Sequence, residues 1–567
     1  MALDQLKKTS FKVVGTRPTR PDGIEKVTGQ AKFGADIYVA GMLHGIILRS
    51  PHAHARIKKI DISALKKDSR VKAIVTREDF TSNLTGENWN ILENIMAGEK
   101  ALYDGHAIAA IACSSLLEAK EAIKKIEVEY EVLPHVTDVE KAMKEDAPII
   151  REGVAKTSVP AGMHPNVVGY HESGHGDVDK GFEEADLVIE EQFKTEAAHQ
   201  GYIEPHACLA NMLEDGKGEV WCCTQGHFNV AKVCANLLET DASQIRVTAS
   251  EIGGGFGGKE TNFMTACICA LLANKSGQPV KLRLDRDDDI ILTGKRHEFF
   301  SEYEVGFNDE GIIEGLKINL SSNCGMSPDL SAAINERALL HIDNAYYISD
   351  IEVINNLCKT NIPTSTAFRG FGGNQGMMAI ENVIDNISRY LKKDPLEVRK
   401  KNFYQKDKKN VTHYGMTVED NVINEIFKNL ESKSNYKKRY SDIRKFNEKN
   451  KFKKKGIAIT PLKFGISFTT IHLNQAGALV HIYTDGSVHL NHGGIEMGQG
   501  THTKIAQLVA NSLGLPYNLV HISSTNTAKV PNTSASAASS TTDLNGAAAL
   551  NAVAKIKLNL EKFIKKK

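Results

Sequence analysis

Several things are missing from this 567-residue chain. No C-x-x-C occurs among its nine cysteines, Cys113, Cys208, Cys222, Cys223, Cys234, Cys267, Cys269, Cys324 and Cys358. The odd count excludes a closed disulfide framework, the spacing offers no zinc or iron–sulfur ligand set, and both suit a reducing cytoplasm. Cys267-x-Cys269 lies in an apolar run and reads as a pair of buried free thiols. No stretch of about 18 apolar residues exists, so no membrane-spanning helix is expected, and the opening MALDQLKKTSFKVV has no apolar signal core. Net charge is only +1. That balance gives no reason to expect nucleic acid or a membrane surface as partner. No short internal repeat is visible. What remains is an ordinary globular composition, 41% hydrophobic and 25% charged, with length for about three or four domains.

Residues 1–23 are basic and polar and close in the loop RPTRPDG (17–23). From Ile24 to about Pro134 strand and helix patterns mix. Residues 42–49 and 71–75 read as strands, 116–125 has helical spacing, and 126–132 alternates with period two. This is a compact α+β unit. A Pro- and Gly-containing linker over about 134–170 leads to a second block that ends near Tyr404, with 244–250 as a strand and 261–273 as a helix. Residues 405–455 are rich in Lys and Asn and read as a solvated surface stretch. A third block follows from Gly456: a strand over 476–483, a turn at Asp485-Gly486, a second strand, a glycine loop, and a helix over 504–513. An apparent helix from near Gly546 runs into Lys567 with no C-cap, Gly/Pro stop or closing strand, which reads as an interrupted chain. The expected fold class is α+β.

The stretch EIGGGFGGKE (251–260) contains Gly253-x-x-x-x-Gly258-Lys259, the outline of a phosphate-binding P-loop. A P-loop needs Ser or Thr after its lysine to hold Mg²⁺. Glu260 stands there, and its carboxylate would repel phosphate. Five glycines in six positions still favour close backbone approach to a ligand, and a helix N-terminus after them would offer free N–H groups to an anion. The loop is therefore expected to hold an anionic or oxo-rich ligand other than a nucleoside triphosphate. TAFRGFGGNQG (366–376) and GGIEMGQGTHTK (493–504) are loops of the same kind, and PNTSASAASSTTDLNGAAA (531–549) is nearly all small and hydroxyl residues. Together they suggest one large polar cofactor enclosed by backbone amides from several segments.

These motifs, in this order, with EKVTGQAKF (25–33) and LRSPHAHARI (48–57), resemble the molybdenum-cofactor-binding subunit of the xanthine dehydrogenase/aldehyde oxidase family. The resemblance implies an N-terminal α/β-hammerhead domain at 24–134, a first molybdenum-cofactor-binding domain at 160–404, and a second at 405–567 that is incomplete. His52-x-His54 could be a metal pair but falls in the hammerhead motif, where a structural role is expected. By the same resemblance Gln225, in CCTQG, hydrogen-bonds an oxo ligand of molybdenum. An amide donor can polarise an oxo group without adding charge. Gly255, Phe256 and Gly257 lie beside the metal, Phe368 and Arg369 flank its open side, and Met497, Gly498 and Gln499 contact the pterin. Ala537, Ala538 and Ser539 form the small-residue wall beside metal and dithiolene. Gln225, Phe256, Arg369 and Ala538 are the metal-side residues.

On the substrate side Glu260 and Arg337 resemble the carboxylate and guanidinium that grip a hydroxylated purine. Phe371 and Phe468 resemble the two rings that sandwich it, with Thr469 beside them in KFGISFT (463–469). The implied reaction oxidises hypoxanthine and xanthine to urate with water as the oxygen source. The implied electron path runs through [2Fe–2S] clusters and FAD on a partner subunit, in a higher oligomer. Two departures stand out: AHQGYIEPHACLA (198–210) resembles members acting on other substrates equally well, and Asn374 replaces the proline usual in the purine enzymes. The family's catalytic glutamate lies in a G-x-G-E-type motif near the C-terminus, which this sequence lacks. Without that base about 10²–10⁴ of the rate is lost, and the chain alone is expected to be inactive. Two alternatives stay open: an aldehyde or other N-heterocycle hydroxylase, and an inactive cofactor-binding remnant.

Overall fold

The computed structural model describes residues 11–80, 92–151, 158–213, 217–261, 263–530 and 532–566. The leaderless reading of 1–10, part of the 134–170 linker (152–157), Pro531 and the terminal Lys567 lie outside these residues.

The chain is α+β. Its largest sheet has seven strands in the spatial order Ile245–Ala249, Gly218–Cys222, Ala207–Met212, Val280–Arg283, Leu43–Arg49, Ala107–Cys113 and Val71–Thr76. The strand Ala107–Cys113 (AIAAIAC) is buried at every position. Such a continuous run of small apolar residues suits a strand covered on both faces. The helix Met264–Ser276 packs on this sheet, and everything from Met264 to Ala273 is buried. A helix apolar all round belongs in a core. All nine cysteines are free and buried.

Leu43–Arg49 pairs in parallel with Val280–Arg283, Leu43 opposite Val280. The N-terminal unit is therefore not self-contained: it shares one sheet with the block that follows. A five-stranded sheet (Val167–His175, Asp350–Lys359, Ile313–Gly325, Phe299–Phe307, Leu187–Thr195) forms a second core with the helices Ser331–Leu340 and Gly373–Leu391. A third core joins the sheet Ala478–Ile482, Val488–His492, Val520–Ile522 to the helices Thr501–Leu513 and Thr541–Lys566.

Four expectations need correction. The helix after the glycine loop starts at Met264, not Thr261. The 405–455 stretch contains two helices, Ile423–Ser434 and Tyr436–Lys449, which bury little beyond Phe427 and Tyr436. Within the 134–170 linker Val136, Val139, Ala142 and Ile150 are buried against Leu102, Tyr103 and Met326, so this part is packed, while residues 160–162 are exposed. The C-terminal helix begins at Thr541 rather than near Gly546. The His52-x-His54 pair sits as expected. His54 Nδ1 is 2.7 Å from Pro134 O, and the His52 ring meets Tyr130 edge-on at 5.0 Å.

Candidate cofactor and substrate site

The glycine loop at 251–260 is an open turn, several residues ahead of the helix that begins at Met264. Its amides are thus not a helix N-terminus, and the helix-end argument for anion binding fails at this loop. The P-loop-like lysine is also spoken for. Lys259 is 2% exposed, its Nζ lies 2.9 Å from Glu204 Oε2, and it sits 4.9 Å over the Tyr202 ring. Glu204 accepts two further bonds, from Gly253 N at 2.9 Å and Gly34 N at 3.0 Å. The ammonium is neutralised inside the protein and pins the loop.

Gln225 follows the strand Gly218–Cys222 and precedes the helix His227–Leu237. Its side chain joins two of the four candidate stretches. Oε1 accepts from Gly257 N at 2.8 Å and Lys259 N at 3.4 Å, and Nε2 donates to Ser536 O at 3.1 Å. Its backbone repeats the link, donating to Lys259 O and accepting from Ser536 N, both at 2.9 Å. Ser536 Oγ in turn accepts from Ile495 N at 2.7 Å, which draws in the third stretch. Arg369 N donates to Phe256 O at 2.9 Å, and Ser467 N donates to Ala538 O at 2.8 Å. A Cβ on Gly255 would stand 2.6 Å from Gln225 Oε1 and 2.9 Å from Met497 Sδ. The structure therefore brings Gln225, Gly255–Gly257, Phe368–Arg369, Met497 and the Ala537–Ser539 wall into one cluster. Gln499 is folded back on its own turn, where Oε1 accepts from Met497 N at 2.6 Å and Nε2 donates to Ile495 O at 2.8 Å.

Strain marks the same place. Phe256, Phe371, Ser467, Ala538 and Ser539 all take left-handed backbone, with φ between 50° and 77°. Non-glycine residues persist there only where their surroundings over-determine them, commonly at ligand sites. Among the described residues no group of three His, Cys, Asp or Glu side chains could hold a bare metal ion. A metal at this cluster would have to arrive with ligands of its own. The cradle fits an oxo-rich, pterin-held metal: its wall is small, its glycines admit close approach, and among the described residues one of the two Gln225 amide hydrogens is unused.

On the substrate side Glu260 is 4% exposed, and its carboxyl has no hydrogen bond among the described residues. Burial, and then the charge of Asp329, push its pKa up to about 8. It is a neutral acid near neutrality, able to donate. In the unfolded chain it titrates near 4.5. Between these values the folded chain holds the extra proton. Stability therefore falls as pH rises from 4.5 towards 8, by roughly 1.4 kcal/mol per unit, with the loss complete above 8. Glu260→Gln should lose less stability than the parent between about pH 6 and about pH 8.5. Urea midpoints at the two pH values check this, and parallel shifts in both chains would sink it.

Arg337 is 5% exposed and donates to Gly465 O and Ser467 O, with its guanidinium 5.4 Å over the Phe464 ring. No ion pair joins it to Glu260 among the described residues. The expected purine grip is therefore partly engaged, though three of the five guanidinium N–H groups remain. The 463–469 stretch is fixed to the helix Ser331–Leu340. Gly465 N donates to His341 Nε2 at 3.0 Å and Thr469 Oγ1 to Glu336 Oε2 at 2.6 Å. Asn474 clasps Phe468 at both backbone groups. Phe371 lies two residues before Gly373, where a Cβ would stand 2.9 Å from the Phe464 ring.

Three residues escape the sequence reading. Glu204 carries a weak signal, a lone acid in a mostly uncharged segment. Phe464, next to the strap carbonyl of Gly465, carries none. Arg296 lies 3.9 Å over the Phe368 ring and donates to Arg369 O at 2.8 Å and to Asn374 Oδ1 at 3.4 Å. Its partner Asn374 is one of the two departures from the purine enzymes' pattern.

Comparison with known proteins now decides the family. Residues 28–134 match the aldehyde oxidase and xanthine dehydrogenase a/b hammerhead domain, and residues 160–403 and 429–567 match molybdopterin cofactor-binding domains. The chain is 38% identical over 549 residues to the xanthine dehydrogenase of Dictyostelium discoideum, covering 96% of this chain and 39% of that protein. It is 39% identical over 544 residues to the xanthine dehydrogenase/oxidase of Gallus gallus, covering 95% and 38%. The chain belongs to the xanthine dehydrogenase/aldehyde oxidase family. It spans well under half the length of these relatives. The fold agrees: a Cu,Mo-CO dehydrogenase in its carbon monoxide reduced state matches with a TM-score of 0.85 at 25% identity, covering 97% of this chain and 72% of that one. The aldehyde oxidoreductase of Desulfovibrio gigas matches in fold with a TM-score of 0.82 at 24% identity, covering 97% and 62%. Among the described residues no helix is long and apolar enough to cross a membrane.

Proposed function

We propose that this chain is the molybdenum-cofactor-binding part of a cytoplasmic hydroxylase that oxidises hypoxanthine and xanthine to urate, with iron–sulfur clusters and FAD on partner subunits of a higher oligomer. The observation that carries the reading is Gln225, which ties the glycine loop to the small-residue wall and keeps one amide hydrogen for a ligand. In this reading Gln225, the Phe256 and Arg369 backbones and Ala538 surround the metal, and Met497–Gln499 meet the pterin. When bound, the cofactor supplies the two-electron oxidation and the delivery of a water-derived oxygen. The chain's own residues hold the substrate. Neutral Glu260 donates to the purine edge, the remaining Arg337 donors face the oxygen on which negative charge develops, and Phe371 and Phe468 flank the ring beside Thr469.

Neither Glu496 nor Glu260, the two glutamates carried by the cofactor loops, is free to act as general base. Glu496 accepts from three backbone amides and from Arg20, and Glu260 is protonated on the substrate side. Turnover is therefore expected only once the other polypeptide segments of the enzyme are supplied. In that reconstituted assay Glu260→Ala should lower kcat/KM for xanthine by about tenfold, the worth of one neutral hydrogen bond, and Arg337→Ala by about tenfold or more, the worth of a charge-assisted one. A second reading, hydroxylation of an aldehyde or another N-heterocycle, draws on the engagement of Arg337 by Gly465 O and Ser467 O. It prevails if both variants leave turnover intact.

A further inference from the structure

The segment RPTRPDG (17–23) has no part in the proposed reaction, yet it reaches two of the loops assigned to the cofactor. Lys12 and Val13 donate their amides to Asn511 Oδ1 at 3.0 and 3.1 Å, and Gln507 Nε2 donates to Val13 O at 3.0 Å. These bonds lay the strap along the helix Thr501–Leu513. Arg20 then lies against the turn that precedes this helix. Its Nη1 donates to Gly498 O at 2.9 Å and its Nη2 to Glu496 Oε1 at 3.2 Å. Asp22 grips the same guanidinium, accepting from Nε at 2.9 Å and from Nη2 at 2.8 Å. Lys26 pairs with Asp22 and, at 2.9 Å, with Glu251.

The row Glu251, Lys26, Asp22, Arg20, Glu496 alternates in charge throughout. It starts at the first residue of the glycine loop and ends inside the 493–504 loop. Asp22 and Glu496 are its sheltered members, with side chains 9% and 5% exposed. Glu496 Oε1 accepts from Gly498 N and Gly500 N, each at 2.9 Å, and Oε2 accepts from His502 N at 3.1 Å. Those three amides fold the turn around one carboxylate, with Gly498 and Gly500 in positive φ. They set the shape of the turn but not its place in the molecule. Its place relative to the glycine loop is held on one side by the Ile495 N–Ser536 Oγ bond and on the other by the cations flanking Asp22. A guanidinium held two-pronged by one carboxylate and bonded to a second is a directional, charge-assisted link.

We propose that Arg20 is a positioning residue: through Glu496 and Gly498 it holds the Met497–Gln499 turn in register with the glycine loop, so that both close on one cofactor. The inference rests on the cofactor reading above and extends it to a part of the chain outside both cofactor-binding domains. Arg20 touches no reacting atom in this scheme. Its effect is on where the turn lies and on how long the cofactor stays.

The test uses the full chain as parent, Arg20→Met, Arg20→Lys and Asp22→Asn. Hydrogen exchange of the Gly498, Gly500 and His502 amides is read beside the rate at which molybdenum leaves the loaded protein during dialysis. In Arg20→Met those amides should exchange about tenfold faster, the loss of one charge-assisted link at a part-exposed site. The Gly257 amide, held by Gln225, should not change. Molybdenum loss should quicken by a similar factor. Arg20→Lys should restore part of both effects, and Asp22→Asn should give a smaller rise in the same amides, which keeps the test open if Arg20→Met fails to fold. Unchanged turn exchange and unchanged molybdenum retention in Arg20→Met overturn the proposal. A parent chain that never loads molybdenum, with the turn still loosened by Arg20→Met, overturns the cofactor reading and leaves the role of Arg20 in place.

Discussion

Gly255→Val is expected to yield a folded chain that retains about a hundredth of the parent's molybdenum, from 1–3 kcal/mol of overpacking strain plus displaced hydrogen bonds at the cradle. A first side-chain carbon at Gly255 would stand 2.6 Å from Gln225 Oε1 and 2.9 Å from Met497 Sδ. Met497 could yield, because thioether side chains are flexible. Gln225 could not yield without surrendering its bonds to Gly257 N, Lys259 N and Ser536 O. The substitution thus moves the residue on which two stretches depend, and away from the three large cores meets only the small cluster on which Met497 packs. Molybdenum per chain, measured by elemental analysis on protein with parent-like circular dichroism, reads the result. Gly456→Ala is the matched control, since a Cβ there meets nothing within 4 Å. A fully loaded Gly255→Val would mean that the Gln225 cluster is not the cradle.

How far the sequence discloses this arrangement depends on the range of the interaction concerned. Strands such as Ile245–Ala249 and Leu43–Arg49 are legible because alternation and β-branched runs are local signals. The four small-residue stretches are legible as motifs, and their convergence follows from the resemblance. The start of the helix after the glycine loop is placed three residues early, at Thr261. The Thr261 hydroxyl bonds Asp329 Oδ2 at 2.7 Å, 68 residues away. The two helices within 405–455 are hidden by charge. Pairs such as Lys438–Asp442 support them from the water side, while few residues mark a buried face. Arg337 is legible, through the resemblance, as a candidate substrate-side cation. That Gly465 and Ser467 carbonyls occupy two of its donors depends on how the 463–469 stretch lies across the Ser331–Leu340 helix, which no local pattern encodes. The sequence rules out a P-loop through Glu260, but the partner of Lys259 emerges only in three dimensions.

That partner supplies the second large effect. Lys259→Met should destabilise the chain by about 3–5 kcal/mol, the usual penalty for stranding one member of a buried ion pair. The side chains of Lys259 and Glu204 are 0% and 9% exposed. Once the ammonium is gone, Glu204 keeps only the Gly253 and Gly34 amides, too little to offset a desolvated charge. Glu204→Gln should be nearly as harmful, since it strands Lys259 over the Tyr202 ring. The double variant Glu204→Gln/Lys259→Met carries no buried charge, keeps comparable volume and retains an amide oxygen for Gly253 N. It should recover at least half of the combined loss, as expected when neighbours act as a unit. The pair lies away from water, so salt should barely screen it, and the single-variant deficits should persist in about 1 M NaCl. Chemical unfolding of the four chains closes the cycle. Strictly additive losses, or losses that vanish in salt, would show a surface-like pair, and the Gly253–Lys259 backbone would then have to be held against Gln225 by something other than the buried Lys259–Glu204 contact.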